Sequence, residues 1–185
     1  ILDLPGTYSL NASSLDESVV IELLLNKNDK DFPDVAVVIS DVENLKRNLL
    51  LFTQIKDLNI PSILVINMSD VMKRKGISID AVILEKHLGT KVIMYSSREK
   101  KGVSELKTVI TNYQKLETNQ CLDIVNIDSE YFESLKKTFP DQSIYKLWLV
   151  ITQDVNFGNL DREIVKDSST FQTKSNSYLK RLQQK

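Results

Sequence analysis

Three short apolar runs, rich in β-branched residues, mark the first two thirds of the chain. They are VAVVIS (35–40), SILVIN (62–67) and KVIMYS (91–96), and ILDL (1–4) is a candidate fourth. Each run is almost continuously apolar, which is typical of a parallel strand buried on both faces. We therefore predict a strand at each position, with both faces of each strand covered.

Apolar residues at helical spacing lie between these runs. The stripes are Leu15-Val19-Leu23, Leu45-Leu49-Phe52-Ile55 and Leu106-Val109-Ile110-Tyr113. Their intervals of three and four residues predict amphipathic helices. Strands that alternate with helices predict an α/β fold with right-handed crossovers and a mostly parallel sheet. In such sheets ligands bind at the carboxyl ends of the strands, so the residues after each strand are the candidate site.

The pattern changes after about residue 122, where the strand-like runs stop. One helical stripe follows, with Ser143 as its predicted N-cap: Ile144, Leu147, Trp148, Ile151 and Val155. A second stripe predicts a further long helix: Leu160, Ile164, Phe171, Tyr178 and Leu182. We therefore predict a small helical module attached to the α/β domain.

Composition limits the function classes. The chain has 185 residues, 42% of them hydrophobic, which suffices for one domain with a small appendage. The net charge of -1 argues against a general nucleic-acid binder. A single cysteine, Cys121, and a single histidine, His87, exclude an internal disulfide framework and a zinc-type cluster. No apolar run approaches the roughly 18 residues that span a bilayer, so we predict a soluble, cytosolic chain.

The first candidate motif, Asp3-Leu4-Pro5-Gly6, has the form D-x-x-G. A carboxylate here can hold water on a magnesium ion, which prefers carboxylate, water and phosphate oxygens. A glycine lets its backbone N–H approach a terminal phosphate without a Cβ in the way. Alone, the motif is equally well explained as a turn after a strand.

Two further motifs follow the second and third apolar runs. Asn67-Met68-Ser69-Asp70 has the form N-x-x-D, and its carboxylate can accept two N–H groups of guanine that adenine does not offer. In Ser96-Ser97-Arg98 a small residue lets a backbone N–H reach the guanine carbonyl oxygen. Taken singly, each is better explained as an Asx turn, a helix cap or an ordinary loop. Their order at successive strand ends favours a guanine site.

With these motifs, five stretches resemble the cytosolic GTPase domain of the bacterial ferrous iron transport protein B (FeoB) family: DLPGTYSLNASSLDE, VISDVENLKRNLLL, PSILVINMSD, RKGISID and KKGVSEL. The resemblance covers about residues 1–115 and includes residues outside the guanine motifs, among them Asp41, Asn44 and Arg47. It implies a Ras-like P-loop GTPase domain over 1–120. A helical domain that stabilises bound GDP is implied over 121–185.

The resemblance assigns nucleotide contacts to eight residues: Asp3, Gly6, Asn67, Met68, Asp70, Ser96, Ser97 and Arg98. Asp70 is expected to read guanine, and Asn67 to support its loop. Asp3 is expected to contact Mg²⁺ through water, and Gly6 to sense the γ-phosphate. Thr7 stands where Ras-like GTPases carry a Gln that orients the attacking water, and it is too short for that role. We therefore expect slow hydrolysis, with the water held by backbone groups.

The phosphate-binding loop G-x-x-x-x-G-K-[ST] is absent, since no glycine is followed by Lys-Ser or Lys-Thr. We expect this loop and the first strands to lie before Ile1, which makes the chain a fragment with an incomplete sheet. The loop cradles the phosphates, so its loss should remove most of the nucleotide affinity. Residues 1–4 would then lack a neighbouring strand.

The function implied by the resemblance is a GTP-hydrolysing regulatory domain of a ferrous iron transporter. It would lie at the cytoplasmic face of the bacterial inner membrane, with a transmembrane permease of the same parent chain as partner. GTP or GDP and Mg²⁺ are the implied cofactors; K⁺ and self-association are left open, and no nucleic acid is expected. The alternatives are a nucleotide-free fragment acting as a binding module and a translation or ribosome-associated GTPase.

Overall fold

The computed structural model describes residues 1–10 and 15–152. Residues 1–10 have no regular structure and are called the N-terminal segment below. The regular elements that follow are α1 (Leu15–Leu25), β1 (Ala36–Asp41), α2 (Leu45–Asp57), β2 (Ser62–Asn67), α3 (Ser69–Lys75), α4 (Ala81–Leu88), β3 (Val92–Met94), α5 (Val103–Thr111), a 3-10 turn (Tyr113–Lys115), α6 (Ser129–Thr138) and α7 (Ile144–Thr152).

The three strands form one parallel sheet in the order β1-β2-β3. Ala36 pairs with Ser62, and Leu64 pairs with Val92, so all three carboxyl ends lie at the same edge. Strand β2 is central, and its residues 62–66 are all buried. The predicted α/β class, the parallel sheet and the positions of these three strands are confirmed.

Two strand predictions were wrong. ILDL (1–4) forms no strand, because a strand needs a ladder partner and no described residue pairs with it. Strand β1 is not buried on both faces: Ile39 is 66% exposed and Val37 is also exposed. The reason is that β1 is an edge strand whose Val37–Ile39 face is covered by no described helix.

The sheet has one heavily packed face and one lightly packed face. Val38, Leu64, Ile66 and Val92 belong to the main core, which also holds residues of α1, α2, α6 and α7. On the other face, Ile63, Val65 and Ile93 pack against Leu106 and Val109 of α5. The face predicted for α1 was wrong, since Val19 is exposed while Val20, Ile21, Leu24 and Leu25 are buried. This helix carries apolar residues at most positions, so spacing alone does not select its buried side.

Helices α6 and α7 follow the sheet; the helical pattern predicted α7 but not α6. Ser143 caps α7 as expected, with its Oγ accepting the N–H of Lys146 at 3.2 Å. Leu147 and Ile151 are fully buried in the main core. The predicted helix beyond Val155, and Val155 itself, lie outside the described residues. None of the helices in the described ranges is both long and apolar enough to cross a bilayer.

Candidate functional site

The turn from β2 into α3 sets the geometry of the candidate site. Met68 has a φ of 63°, a left-handed conformation that side chains rarely adopt. This reversal leaves Asn67 at the end of the strand and Asp70 in the first turn of the helix. Both polar side chains therefore lie at the carboxyl edge of the sheet, and the Met68 side chain between them is 44% exposed.

Asp70 is held by the loop that follows β3. The hydroxyl of the fully buried Ser96 donates to Asp70 Oδ1 at 2.9 Å, and Arg74 Nη2 lies 3.5 Å from Oδ2. The Ser96 hydrogen bond is the largest cause that lowers the pKa of the Asp70 carboxyl, and the charges of Arg74 and Arg98 add to it. Asp70 is therefore ionised at neutral pH, and an ionised carboxylate is a pure acceptor.

Asn67 joins the same two loops. Its Oδ1 accepts the N–H of Ser97 at 3.4 Å, and the N–H of Ser69 donates to the carbonyl of Tyr95 at 3.0 Å. The β3 loop closes on itself, since Ser96 and Lys101 exchange backbone hydrogen bonds of 3.2 and 3.1 Å. Six predicted nucleotide residues are thus brought together at one edge: Asn67, Met68, Asp70, Ser96, Ser97 and Arg98.

Gly102 ends this loop and begins helix α5. Its φ is 83°, and a Cβ at this position would stand 2.7 Å from the carbonyl oxygen of Met94. A side chain there would collide with the last residue of β3. The glycine therefore lets α5 start directly against the end of β3, the strand that leads into the Ser96 loop.

The N-terminal segment is not joined to this edge. Asp3 and Gly6 are exposed. The hydroxyl of Thr7 donates to the carbonyl of Ser9 at 2.8 Å and lies 3.3 Å from Glu17 Oε1 on α1. Within the described ranges, no hydrogen bond or ion pair links Asp3, Gly6 or Thr7 to the β2 and β3 loops.

The loop after β1 is a third part of the edge, which the sequence motifs did not explain. Asp41 accepts the N–H of Asn44, the residue just before α2, at 2.8 Å, and the pKa of Asp41 is lowered chiefly by the Asn44 side chain. Glu43 of this loop pairs with Lys75 at the end of α3. The loop therefore contacts α3, the helix that carries Asp70 in its first turn. An Asp side chain that bonds a backbone N–H a few residues ahead is typical of a turn.

These arrangements agree with the comparison against protein families. Residues 1–110 match the family described as ferrous iron transport protein B. The chain belongs to this family. The match to the FeoB family covers more than half of the chain and spans the N-terminal segment, the sheet and most of α5.

One curated relative and two solved structures describe the likeness. The Fe(2+) transporter FeoB of Escherichia coli (strain K12) is 33% identical over 144 residues, which are 76% of this chain and 18% of the relative. The FeoB G-domain from Methanococcus jannaschii is 40% identical with a TM-score of 0.56, covering 62% of this chain and 70% of that one. The cytosolic domain of T. maritima FeoB in a GDP form is 25% identical with a TM-score of 0.69, covering 99% and 76%.

Such G-domains imply a guanine base and a metal ion, and the described residues fit the first better than the second. The carboxylate of Asp70 and the Asn67 and Ser97 contacts fit a guanine base, whose edge offers N–H donors and a carbonyl acceptor. For a metal, the part of the chain that the structure describes holds no cluster of three His, Cys, Asp or Glu side chains. Asp3 is the one acidic residue that the motif assigns, so we derive no step through a metal.

Proposed function

We propose that this chain is the guanine-nucleotide-binding and GTP-hydrolysing regulatory part of a ferrous iron transporter. The observation that supports this most strongly is the placement of Asp70. Oδ1 accepts one hydrogen bond, from Ser96, and Oδ2 has a loose contact with Arg74. Each carboxylate oxygen has two acceptor positions, so capacity remains for two further N–H donors.

Guanine supplies those two donors from its ring nitrogen and its exocyclic amine. Adenine presents an unprotonated ring nitrogen there, which would face an ionised acceptor without a proton between them. A buried polar group left without its partner costs about 1–3 kcal/mol, which gives selection of roughly tenfold or more. Ser97 and Met68 would border the base, and Asn67 would keep the two loops in register.

In this proposal the N-terminal segment would contact the phosphates of the nucleotide. Gly6 would offer its N–H to the γ-phosphate, and Asp3 would face Mg²⁺ through water. The Thr7 hydroxyl is already engaged with Ser9 and Glu17 and is too short to orient a water as a Gln does. Hydrolysis in this arrangement would be slow and would rely on backbone groups.

Membership of the family, and not the site, supports the wider role. The E. coli relative is an Fe(2+) transporter, and this chain spans less than a fifth of its length. We place residues 1–120 as the GTPase domain and 121–185 as a helical domain that stabilises bound GDP. The partner would be a membrane permease in the same parent chain, with nucleotide state controlling iron uptake at the cytoplasmic face.

The test is base selectivity measured by NMR, which detects binding even in the millimolar range. GDP is expected to shift the amide signals of residues 67–70 and 96–98, while ADP at equal concentration leaves them in place. Asp70→Asn should lose the GDP response and gain one to xanthosine diphosphate, because the amide can donate to the carbonyl that replaces the guanine amine. Asp34→Asn, at an exposed position before β1, is the control and should respond like the unchanged chain.

Two results would count against the guanine site. One is an equal response to GDP and ADP at these amides. The other is an Asp70→Asn chain that keeps its GDP response, since the carboxylate would then not read the base.

A further inference from the structure

Residues 7–9, directly after the D-x-x-G motif, form one small turn. The hydroxyl of Thr7 donates to the carbonyl of Ser9 at 2.8 Å and accepts the N–H of Ser9 at 3.4 Å. A hydroxyl that bonds the backbone two residues ahead is typical of a tight turn. Tyr8 is the residue enclosed by this turn. Whatever holds the Tyr8 ring therefore also holds Thr7 and the preceding Gly6.

Arg47 of α2 holds the Tyr8 ring. Its guanidinium carbon lies 3.6 Å from the centre of that ring. A cation over the face of an aromatic ring is attracted by the negative charge of the face. Tyr8 is 49% exposed and Arg47 is also exposed. Because such attraction is weak at exposed positions, this contact can be broken and remade easily.

Gln54 of α2 holds the segment at a second point. Its Oε1 accepts the backbone N–H of Leu10 at 2.7 Å. Leu10 is fully buried and belongs to the main core. A buried N–H that loses its acceptor finds no replacement in solvent, so this contact costs more to break than the exposed one at Tyr8. The Leu10 end of the segment is therefore the fixed end.

The two contacts have a definite direction along α2. Arg47 lies in the first turn of this helix and Gln54 in the last. They are two helical turns apart on the same face, about 10 Å along the axis. Because α2 follows β1, its first turn is the end nearer the carboxyl edge of the sheet. The D-x-x-G motif thus joins the segment at its weakly held end, which is the end nearer the candidate site.

We propose that Arg47 is a positioning residue for the D-x-x-G motif, and that Gln54 fixes Leu10 as the pivot about which the motif moves. Release of the Arg47 contact frees Tyr8 together with Thr7 and Gly6 and leaves Leu10 in place. The relevance of this movement to phosphate rests on the proposed function. The two contacts themselves do not depend on nucleotide.

The test is NMR of the chain without nucleotide, with a peptide of residues 1–10 as the reference for the released state. Arg47→Gln should raise the ratio of released to docked Tyr8 about two- to fivefold. The amide shifts of Gly6 and Thr7 should therefore move towards those of the peptide. Lys46→Gln, at an exposed position in the same helical turn, is the control and should leave them in place.

Replacement of the ring distinguishes the cation contact from packing alone. Tyr8→Leu should move the Gly6 and Thr7 amides as Arg47→Gln does. It should also move the Arg47 Nε–H signal, because a group above an aromatic ring is shielded by it. Tyr8→Phe keeps the aromatic face and should restore both signals.

The pivot is tested at the Leu10 amide by hydrogen exchange. Its exchange rate should stay within about twofold in Arg47→Gln and Tyr8→Leu, because Gln54 still accepts its N–H. Gln54→Met keeps the length of the side chain and removes the acceptor, so Leu10 exchange should quicken about tenfold. Gln114→Met, at an exposed position of the 3-10 turn, should have no effect. A general loss of stability is recognised because it quickens the amides of β2 by the same factor.

Two results would overturn the proposal. Arg47 does not position the motif if the Gly6 and Thr7 amides keep their shifts in Arg47→Gln and Tyr8→Leu. Leu10 is not a pivot if its exchange quickens in these variants as much as in Gln54→Met. Failure of the proposed function gives a different result: GDP then produces no response at residues 67–70, while the nucleotide-free measurements still support the role of Arg47.

Discussion

Asp57 Oδ1 accepts the backbone N–H of Cys121 at 2.5 Å, across 64 residues of chain. The same oxygen accepts the N–H of Leu122 at 3.2 Å. Asp57 is 3% exposed and is the last residue of α2, so these bonds fix the chain that leads from the 3-10 turn towards α6. The connection between the sheet and the last two helices is therefore a specific polar contact.

Replacing Asp57 should separate the value of the acceptor from that of the charge. Asp57→Ala leaves two N–H groups without a partner and should lower the free energy of unfolding by about 1–3 kcal/mol. Asp57→Asn keeps an oxygen at the Oδ1 position and should cost clearly less. Urea unfolding at pH 7 measures both; equal losses would show that the charge, and not the acceptor, holds the connection.

The pH dependence of Asp57 has a definite sign. Burial raises the pKa of Asp57, although the hydrogen bonds from Cys121 and Leu122 and the charge of Lys56 lower it. A raised pKa stabilises the fold fully below the ordinary value of 3.8, and this contribution is lost as pH rises through the folded pKa. The unfolding free energy of the unchanged chain minus that of Asp57→Asn should therefore fall between pH 3.8 and the raised pKa. Chemical unfolding at several pH values checks this; a difference that grows with pH would contradict it.

Lys56 and Lys75 allow a buried lysine to be compared with an exposed one. Lys56 is 1% exposed, and its Nζ donates to the carbonyls of Gly89 at 2.7 Å and Glu117 at 3.0 Å. Lys56→Met removes both bonds and the positive charge that favours the ionised form of Asp57, so stability should fall by about 2–4 kcal/mol. Lys75 is paired with Glu43 at an exposed position, and Lys75→Met should cost less than about 1 kcal/mol. Thermal unfolding measures the loss of stability in both variants. Similar losses would show that burial does not make Lys56 more important than Lys75.

Gly76 and Gly102 both have left-handed backbones, so alanine at each position distinguishes backbone strain from a steric clash. Gly76 has a φ of 64° with no atom within 4 Å of a Cβ, so Gly76→Ala should cost about 1–2 kcal/mol from the backbone alone. Gly102→Ala adds a contact of 2.7 Å with the Met94 carbonyl and should cost more. Unfolding of the two variants gives the comparison. The amide shifts of residues 96–98 should move in Gly102→Ala and stay fixed in Gly76→Ala.

Removing the Ser96 hydroxyl should raise the pKa of Asp70. Its hydrogen bond is the largest cause of the lowered value, so in Ser96→Ala the carboxyl should titrate closer to 3.8. A lowered pKa stabilises the fold above 3.8 and loses that contribution as pH falls, so Ser96→Ala should flatten the acid side of the stability profile. Carboxyl ¹³C NMR, with Asp70→Asn to assign the signal, measures the shift. An unchanged Asp70 titration would contradict the role of Ser96.

The sheet and the β2 and β3 loops could be predicted because their signals are local. A continuous apolar run such as 62–67 specifies a buried strand, and parallel strands bring their carboxyl ends to one edge. The parallel sheet therefore brings Asn67, Asp70 and Ser96 together, and the order of the motifs along the chain already predicts this. Ser143 was predicted for the same kind of reason, since a cap is read from its immediate neighbours.

The contacts that were missed join residues far apart in the chain. Gln54 reaches Leu10, and Lys56 reaches Gly89 and Glu117. No local periodicity marks such partners, because each depends on how whole elements pack. The prediction for residues 1–4 failed for a related reason: their composition favours a strand, but a strand exists only with a neighbour. Helix α6 was also missed, since its few apolar residues, Tyr131, Phe132 and Leu135, are closely grouped.

The left-handed backbone at Met68 implies a conflict between thermal stability and the shape of the candidate site. An L side chain in this region costs about 1–2 kcal/mol, and the cost is carried where Asn67 and Asp70 must face the same edge. Selection of this chain for heat resistance would therefore favour glycine at position 68. Such a chain would keep the turn and melt later, yet it would lose the exposed Met68 side chain at this edge. Thermal tolerance and the shape of this edge are thus opposed at a single residue.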